Sequence, residues 1–433
     1  MKFYSTNNPL HVVSFREAVF QSLPADKGLY MPERIPQLDP SFIDRLESLS
    51  FEELAFEVAH AFVENDIPAE ELRKIVTETI AFPAPVVELN DGSYVLELFH
   101  GPSLAFKDFG ARFMSRVMAF FAEKGDRLLD VLVATSGDTG GAVALGFAGV
   151  PNTRVTILYP KGKVSSVQEL QLCTNEQNIR AIEIEGNFDD CQLLVKQAFN
   201  DAHLNDRLNL TSANSINISR LIPQTFYYFW AYSQLKRAGK NQVVFSVPSG
   251  NFGNLTAGLL AQRMGLPVKH FVAATNENDV VPRYLSGGDF QPAPAKATLS
   301  NAMDVGNPSN WSRIAELFGG NRDSIARIVS AYRFSDEETL QAIGRVSEQS
   351  GYICCPHTAI AWLAGQRYLA ATEENDTVVT LSTAHPCKFP NVLTGSLGEK
   401  VVVPASVRAL ESKTVKKIKM KADYAGFRDF LLS

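Results

Sequence analysis

From about residue 85 onward, short runs of apolar and β-branched residues alternate with longer stretches in which apolar side chains recur every three or four positions. The first pattern reads as strand and the second as amphipathic helix. Strands are predicted at "SYVLELF" (93–99), "LLDVLVAT" (128–135), "RVTILYP" (154–160), "AIEIE" (181–185), "QVVFSVP" (242–248), "VKHFVAAT" (268–275) and "DTVVTLS" (376–382). Helices are predicted over 139–149, 189–203, 216–238, 253–265, 336–350 and 356–371. Such alternation is the signature of parallel sheets covered by helices. The first 85 residues differ in texture: two acidic helical stretches, "SFIDRLESLSFEELAFEVAHAF" and "PAEELRKIVTETI", end at the proline-marked "FPAPVVELNDG", which reads as a domain boundary.

One strand-to-helix junction carries unusual chemistry. In "FHGPSLAFKDFGARF" (99–113), Lys107 stands between two phenylalanines where a strand gives way to a helical stripe of Phe109, Phe113, Val117 and Phe121, with Asp108 as the expected N-cap. A helix N-terminus and apolar company both disfavour an ammonium, so the amine is expected to be nucleophilic near neutral pH. Taken alone, a lysine there also reads as a snorkelling surface residue.

In an open α/β sheet, ligands sit outside the carboxyl ends of the strands, so the strand-to-helix loops are the informative ones. In "ATSGDTGGAVALG", Ser136-Gly137-Asp138-Thr139 opens a helix of small residues; it reads as a structural turn or as a seat for a carboxylate. In "VPSGNFGNLTAGLL", Gly250, Asn251, Phe252, Gly253 and Asn254 follow a strand and open a helix. That arrangement is a turn or a backbone cradle for one phosphate, and it matches neither G-x-G-x-x-G nor the G-x-x-x-x-G-K-[ST] nucleotide loop. In "VVTLSTAHPCKF", Ser382 and Thr383 end a strand, where a hydroxyl caps the strand or bonds a ligand ring nitrogen. A lysine amine, a single-phosphate cradle and a hydroxyl for a ring nitrogen together suit one cofactor, pyridoxal phosphate.

Bulk properties narrow the field further. The 433 residues, 45% hydrophobic and 20% charged, predict two or three domains with ordinary cores. A net charge of -6 argues against a nucleic-acid partner, and the one basic run, "KTVKKIKMK" near the C-terminus, lacks interleaved aromatics and reads as a solvated strand or loop. No apolar stretch is long enough to cross a bilayer, and no apolar signal core follows "MKFYSTNNPLH". The five cysteines form no disulfide framework, so a reducing cytoplasm is expected. "CCPH" at 354–357 has no second ligand pair at metal-site spacing, and no metal is expected.

Eight segments in order resemble the threonine synthase family, in its longer branch with an extra N-terminal domain: "ELFHGPSLAFKDFG", "ATSGDTGGAVA", "LYPKGKVS", "SANSINISRL", "SVPSGNFGNLTAGLLA", "ATNENDVVPR", "TLSNAMDVGNPSN" and "STAHPCKFP". The resemblance implies a fold type II pyridoxal phosphate enzyme, tryptophan synthase β-like. It implies two parallel-sheet α/β domains, at 89–125 with 236–400 and at 126–235, a mostly helical N-terminal domain at 1–88, and a C-terminal segment at 401–433. The implied reaction converts O-phospho-L-homoserine and water into L-threonine and phosphate. By motif position, Lys107 is the Schiff-base lysine, 250–254 the cofactor-phosphate loop and Thr383 the ring-nitrogen partner. Asp138 stands near the ring hydroxyl, where many fold type II relatives carry asparagine. Ser136 and Thr139 are expected at the substrate carboxylate, and Arg220 with Asn214, Ser215 and Asn217 at the substrate phosphate, because an arginine fork suits phosphate oxygens. Lys163 is the reserve candidate. Rival readings are a phospho-lyase or dehydratase releasing an α-keto acid, and a non-catalytic protein that binds the cofactor or an amino acid.

Overall fold

The computed structural model describes residues 1–122, 128–175, 177–372, 374–397 and 401–433. Two sheets carry the architecture. The smaller has five parallel strands in the spatial order Ile418–Lys421, Ile179–Glu185, Thr153–Pro160, Leu129–Ala134, Asn209–Ser212. The larger has six, in the order Val329–Arg333, Val268–Thr275, Val243–Pro248, Thr377–Ser382, Tyr94–Glu97, Val86–Glu88, parallel except for the last pair. Leu129–Ala134 and Val243–Pro248 are buried at every position, as a central strand covered on both faces must be, and this is why they read as apolar runs interrupted only by Asp130 and Ser246, each of which has a partner, Arg154 and Ala361 O.

Every strand and helix predicted between 93 and 382 is present within a few residues, although 216–238 is two helices, Ile218–Leu221 and Gln224–Arg237, and 189–203 runs as Phe188–Asn200 followed by Ala202–Arg207. The N-terminal region adds to its helices Phe51–Val63 and Ala69–Thr79 an antiparallel sheet of Lys2–Ser5, Asn8–Ser14 and Tyr30–Pro32, strands that are short or, in Asn8–Ser14, largely exposed, so that no apolar run marks them. The boundary expected at 88/89 falls at the end of a strand of the larger sheet, and the one at 235/236 falls inside helix Gln224–Arg237. The boundary expected at 125/126 lies outside the described residues, as does residue 400. Residues 401–433 are not set apart: Ile418–Lys421 adds an edge to the smaller sheet, and helix Tyr424–Leu432 buries Phe427 and Leu431 against Cys191 and Leu194.

The N-terminal region braces the segment that follows Ser212. Fully buried Arg313 donates to Tyr30 O from Nε (3.1 Å) and Nη2 (3.0 Å) and to Ile216 O (2.7 Å), while Asn217 Nδ2 donates to Val19 O (2.8 Å). These bonds satisfy carbonyls that no ladder reaches, and they fix 212–217 from behind. Between the sheets, the N-termini of helices Lys107–Ala122, Asp138–Phe147, Gly253–Arg263 and Pro356–Thr372 all open at one cavity of about 320 Å3. Four helix dipoles pointing their positive ends at one volume suit an anionic occupant.

Candidate active site

Lys107 is the first residue of its helix and lines the cavity. The turn before it is unusual: Leu104 takes φ 58°, Ala105 bridges Ala384, and Phe106 N donates to Thr383 O (2.9 Å). A non-glycine residue in the left-handed region is strained and persists only where its surroundings enforce it. Burial pushes the Lys107 amine down to about 8; Asp138 opposes the shift, and the charges of Arg220 and Lys388 reinforce it. Asp108 is not the N-cap expected. The helix starts one residue earlier, and the carboxylate turns back, with Oδ2 accepting from Ser103 N (2.8 Å).

The turn at 136–140 forms as the glycines suggest, with an anchor the pattern did not reveal. Thr135 Oγ1 accepts from Gly137 N (2.9 Å) and Gly140 N (2.8 Å), tying down the helix start, so Ser136, Asp138 and Thr139 face the cavity. Gly137 sits at φ 134°, and a Cβ there would lie 2.4 Å from Gln168 Cδ. Asp138 Oδ1 receives Gln168 Nε2 (2.9 Å) and Lys388 Nζ (2.8 Å). Burial alone would raise this carboxyl, but Lys388 and Lys107, with the two hydrogen bonds, outweigh it and hold it well below the usual carboxylate range.

The phosphate cradle is backbone packed on backbone. Phe252 takes φ 60° to turn the chain into the helix at Gly253, and a Cβ on Gly250 would stand 2.7 Å from Met303 Cα. Residues 250–254 all line the cavity, and Asn251 also links its neighbours: Nδ2 donates to Ser215 Oγ (2.6 Å) while Oδ1 accepts from Ser309 N (2.6 Å). Across the cavity lies Thr383, nearly buried at the end of Thr377–Ser382.

Of the residues expected at the substrate phosphate, Asn214, Ser215 and Arg220 line the cavity, whereas Asn217 and Lys163 do not. Asn217 is fully buried; its Oδ1 accepts from Ser219 N (3.0 Å) and caps helix Ile218–Leu221, a use of asparagine that competes with ligand binding in any polar run before a helix. Lys163 is exposed on the loop after Thr153–Pro160. Arg220 is buried, gives Nη1 to Ala213 O (2.5 Å), and is pushed down to about 10 by burial, against the pull of Asp108.

Sequence reasoning missed Lys388, His357 and the segment 301–307. Lys388 is completely buried and also donates to Ser103 O (2.7 Å). His357 lines the cavity, accepts from Ala302 N (3.2 Å) at Nε2, and is pushed by burial down to about 4, so it is neutral at physiological pH. Cys354 and Cys355 beside it are buried, and among the described residues no three metal-ligating side chains converge.

These residues fit pyridoxal phosphate. The cavity holds a buried lysine of lowered pKa, a cradle of backbone at a helix start and a hydroxyl opposite, while Arg220 Nε, Asn214 Oδ1 and Asn301 Oδ1 at its wall are buried polar atoms with no protein partner among the described residues. Buried groups left so call for a ligand or water. Family profiles match along the chain: "Threonine synthase N terminus" at 2–80, "Pyridoxal-phosphate dependent enzyme" at 76–384 and "Threonine synthase, C-terminal" at 358–431. The threonine synthases of Haemophilus influenzae and Escherichia coli are 46% and 45% identical to it, each alignment covering 100% of both chains. The chain belongs to the threonine synthase family. The crystal structure of threonine synthase from Escherichia coli superposes with a TM-score of 0.91 at 45% identity, covering 100% of this chain and 99% of that one. The pyridoxal-phosphate-bound threonine synthase from Brucella melitensis gives 0.92 at 35% identity, covering 100% and 98%. Maize serine racemase, 15% identical with a TM-score of 0.53 over 73% of this chain, shares the fold alone. The fold is therefore that of a fold type II pyridoxal phosphate enzyme, and pyridoxal phosphate is the cofactor of a lyase of the threonine synthase type.

Proposed function

We propose that the enzyme converts O-phospho-L-homoserine and water into L-threonine and phosphate in the cytoplasm. The observation that carries this reading is one cavity that unites a lysine whose pKa is lowered to about 8 with two glycine-rich helix starts and the buried Arg220, in a chain related to threonine synthases over its whole length. Bound pyridoxal phosphate supplies an electron sink for an amino acid attached to it. Lys107 holds the cofactor, and its freed amine takes the proton from the substrate α-carbon, a task suited to an amine whose pKa lies near the working pH. Ser136, Thr139 and the N–H groups at the start of helix Asp138–Phe147 hold the carboxylate. Arg220, with Asn214 and Ser215, holds the departing phosphate; its Nε is buried and free of protein partners among the described residues. Thr383 would offer the cofactor's ring nitrogen a neutral hydroxyl, and the loop at 250–254 would hold the cofactor phosphate. His357 is uncharged and adds no competing cation. Among the described residues no helix is long and apolar enough to cross a membrane.

The test is direct. Purified protein with pyridoxal phosphate and O-phospho-L-homoserine is followed by NMR, and threonine with equimolar phosphate is expected. Release of an α-keto acid identifies a phospho-lyase instead. Tight cofactor binding with no phosphate release identifies a binding protein without turnover.

A further inference from the structure

Near neutral pH the charges around Lys107 are few. His357 and His385 are each pushed down to about 4 by burial, and the Cys355 and Cys387 thiols are pushed up, so all four are uncharged. Against Lys107, Arg220 and Lys388 stand Asp138, Asp108 beyond Ser103, and two further carboxylates on the cavity wall, Asp189 and Asp304, the latter raised to about 6 by burial; neither of these two acts on the Lys107 amine. Asp108 is raised to about 6 by burial and faces Arg220 and Lys388 rather than Lys107. Asp138 is thus the one anion that acts directly on the Lys107 amine. A carboxylate free to pair with that amine would hold it as an ammonium, useless as a base or nucleophile.

Asp138 is not free. Lys388, with no solvent exposure, places Nζ 2.8 Å from Asp138 Oδ1 and 2.7 Å from Ser103 O, and Gln168 Nε2 holds the same Oδ1 at 2.9 Å. The lysine arrives from the turn Pro386–Lys388, just past Thr383, and the aspartate from the opposite lobe. We propose that Lys388 is a positioning residue: from behind the cavity wall it occupies the Asp138 carboxylate and offsets its charge, so that the nitrogen of Lys107 stays easily deprotonated beside an aspartate. The pair acts through Lys107 and leaves the reacting atoms alone. It also explains why a buried ion pair stands here at all, since burying two charges stabilises a fold little compared with two neutral groups of the same shape.

The inference rests on the reading that Lys107 carries the cofactor, and the experiment separates the two. Each holoenzyme is titrated by following the visible band that changes when the nitrogen joining Lys107 to the cofactor loses its proton, and is then reduced with borohydride and mapped by peptide mass. In K388Q the uncompensated aspartate is expected to raise the midpoint by about 1 to 3 pH units, the usual effect of an opposite charge a few ångströms away. D138N leaves a lone cation and lowers the midpoint. The D138N/K388Q double variant returns near the wild-type value, and K388R, which keeps the charge, stays there without a second change. A merely structural lysine would alter cofactor content or melting temperature and leave the midpoint in place, so an unmoved midpoint in labelled K388Q overturns the inference. If K388Q fails to hold the cofactor, D138N and the double variant decide between them: a higher midpoint in D138N/K388Q than in D138N supports the inference, and equal midpoints overturn it. A borohydride label on another lysine in the wild type refutes the assignment of Lys107 itself.

Discussion

Replacing Gly110 with alanine sets helix propensity against the geometry of the cavity wall. Gly110 lies in the first turn of Lys107–Ala122 where Arg220 crosses it, and an added Cβ would stand 2.9 Å from both Arg220 Nε and Arg220 O. In an exposed helix the change would stabilise by about 1 kcal/mol. Here the oxygen is backbone, and Arg220 N is itself bonded to Asn217 O (3.0 Å), so the segment cannot retreat cheaply. Overpacking of this kind costs about 1–3 kcal/mol. The two terms leave a net destabilisation between nothing and about 2 kcal/mol. Activity should suffer more, because the group displaced is the guanidinium proposed to hold the substrate phosphate. Loss of one charge-assisted hydrogen bond is worth about 1.5–3 kcal/mol, or roughly 10- to 150-fold in kcat/KM. Urea denaturation gives the first quantity and steady-state phosphate release the second. A variant about 1 kcal/mol more stable than wild type, with kcat/KM within about threefold, would show that the contact is loose and that Arg220 has no such role.

Four further outcomes are expected. Arg220→Lys keeps the charge but loses the fork, lowering kcat/KM for the phosphorylated substrate by roughly tenfold or more, and a change under about threefold refutes the phosphate assignment. Asn217→Ala removes a helix cap and should cost about 1–2 kcal/mol in denaturant titration while KM stays at the wild-type value, since Asn217 lies off the cavity; a raised KM would restore it to the substrate shell. In the apoprotein, the neutral form of Lys107 reacts with an acylating reagent, so its labelling rate should rise with pH through a midpoint near 8 rather than the ordinary 10.5, and a midpoint above about 10 contradicts the burial argument. Thr383→Asp, which favours ring protonation, should retain cofactor yet slow threonine formation and increase keto acid and pyridoxamine phosphate, and threonine production at wild-type rate and purity would end that argument.

The parts of the molecule legible in the sequence are those written locally. A buried parallel strand is mostly apolar, so Leu129–Ala134 and Val243–Pro248 stand out despite Asp130 and Ser246, and a glycine-rich turn before a small-residue helix marks 136–139 and 250–254 without any knowledge of the fold. What escaped was chemistry assembled from distant segments. Lys388 in "HPCKF" reads as a surface lysine because its counter-ion, Asp138, belongs to the other lobe. Thr135 reads as the last residue of a strand, yet its hydroxyl anchors the helix that follows. Asn217 and Asp108 went astray through one ambiguity: short polar side chains bind ligands, cap helices and bond nearby N–H groups equally well, and only the backbone path decides which.

The strand Ile418–Lys421 pairs with Ile179–Glu185, with Ile418 opposite Ile182. On the ribosome, the other four strands of that sheet are complete once Ser212 has emerged, yet the edge at Ile179–Glu185 stays bare until Lys421 has been made. Tyr94–Glu97 likewise waits for Thr377–Ser382 to reach it as a parallel neighbour. Through most of translation the nascent chain therefore displays unpaired strand edges, the feature by which chains recruit one another into aggregates. A chain clipped or stalled before residue 418 keeps its Lys107, its glycine turn and its Arg220 but leaves the edge at Ile179–Glu185 open to other chains.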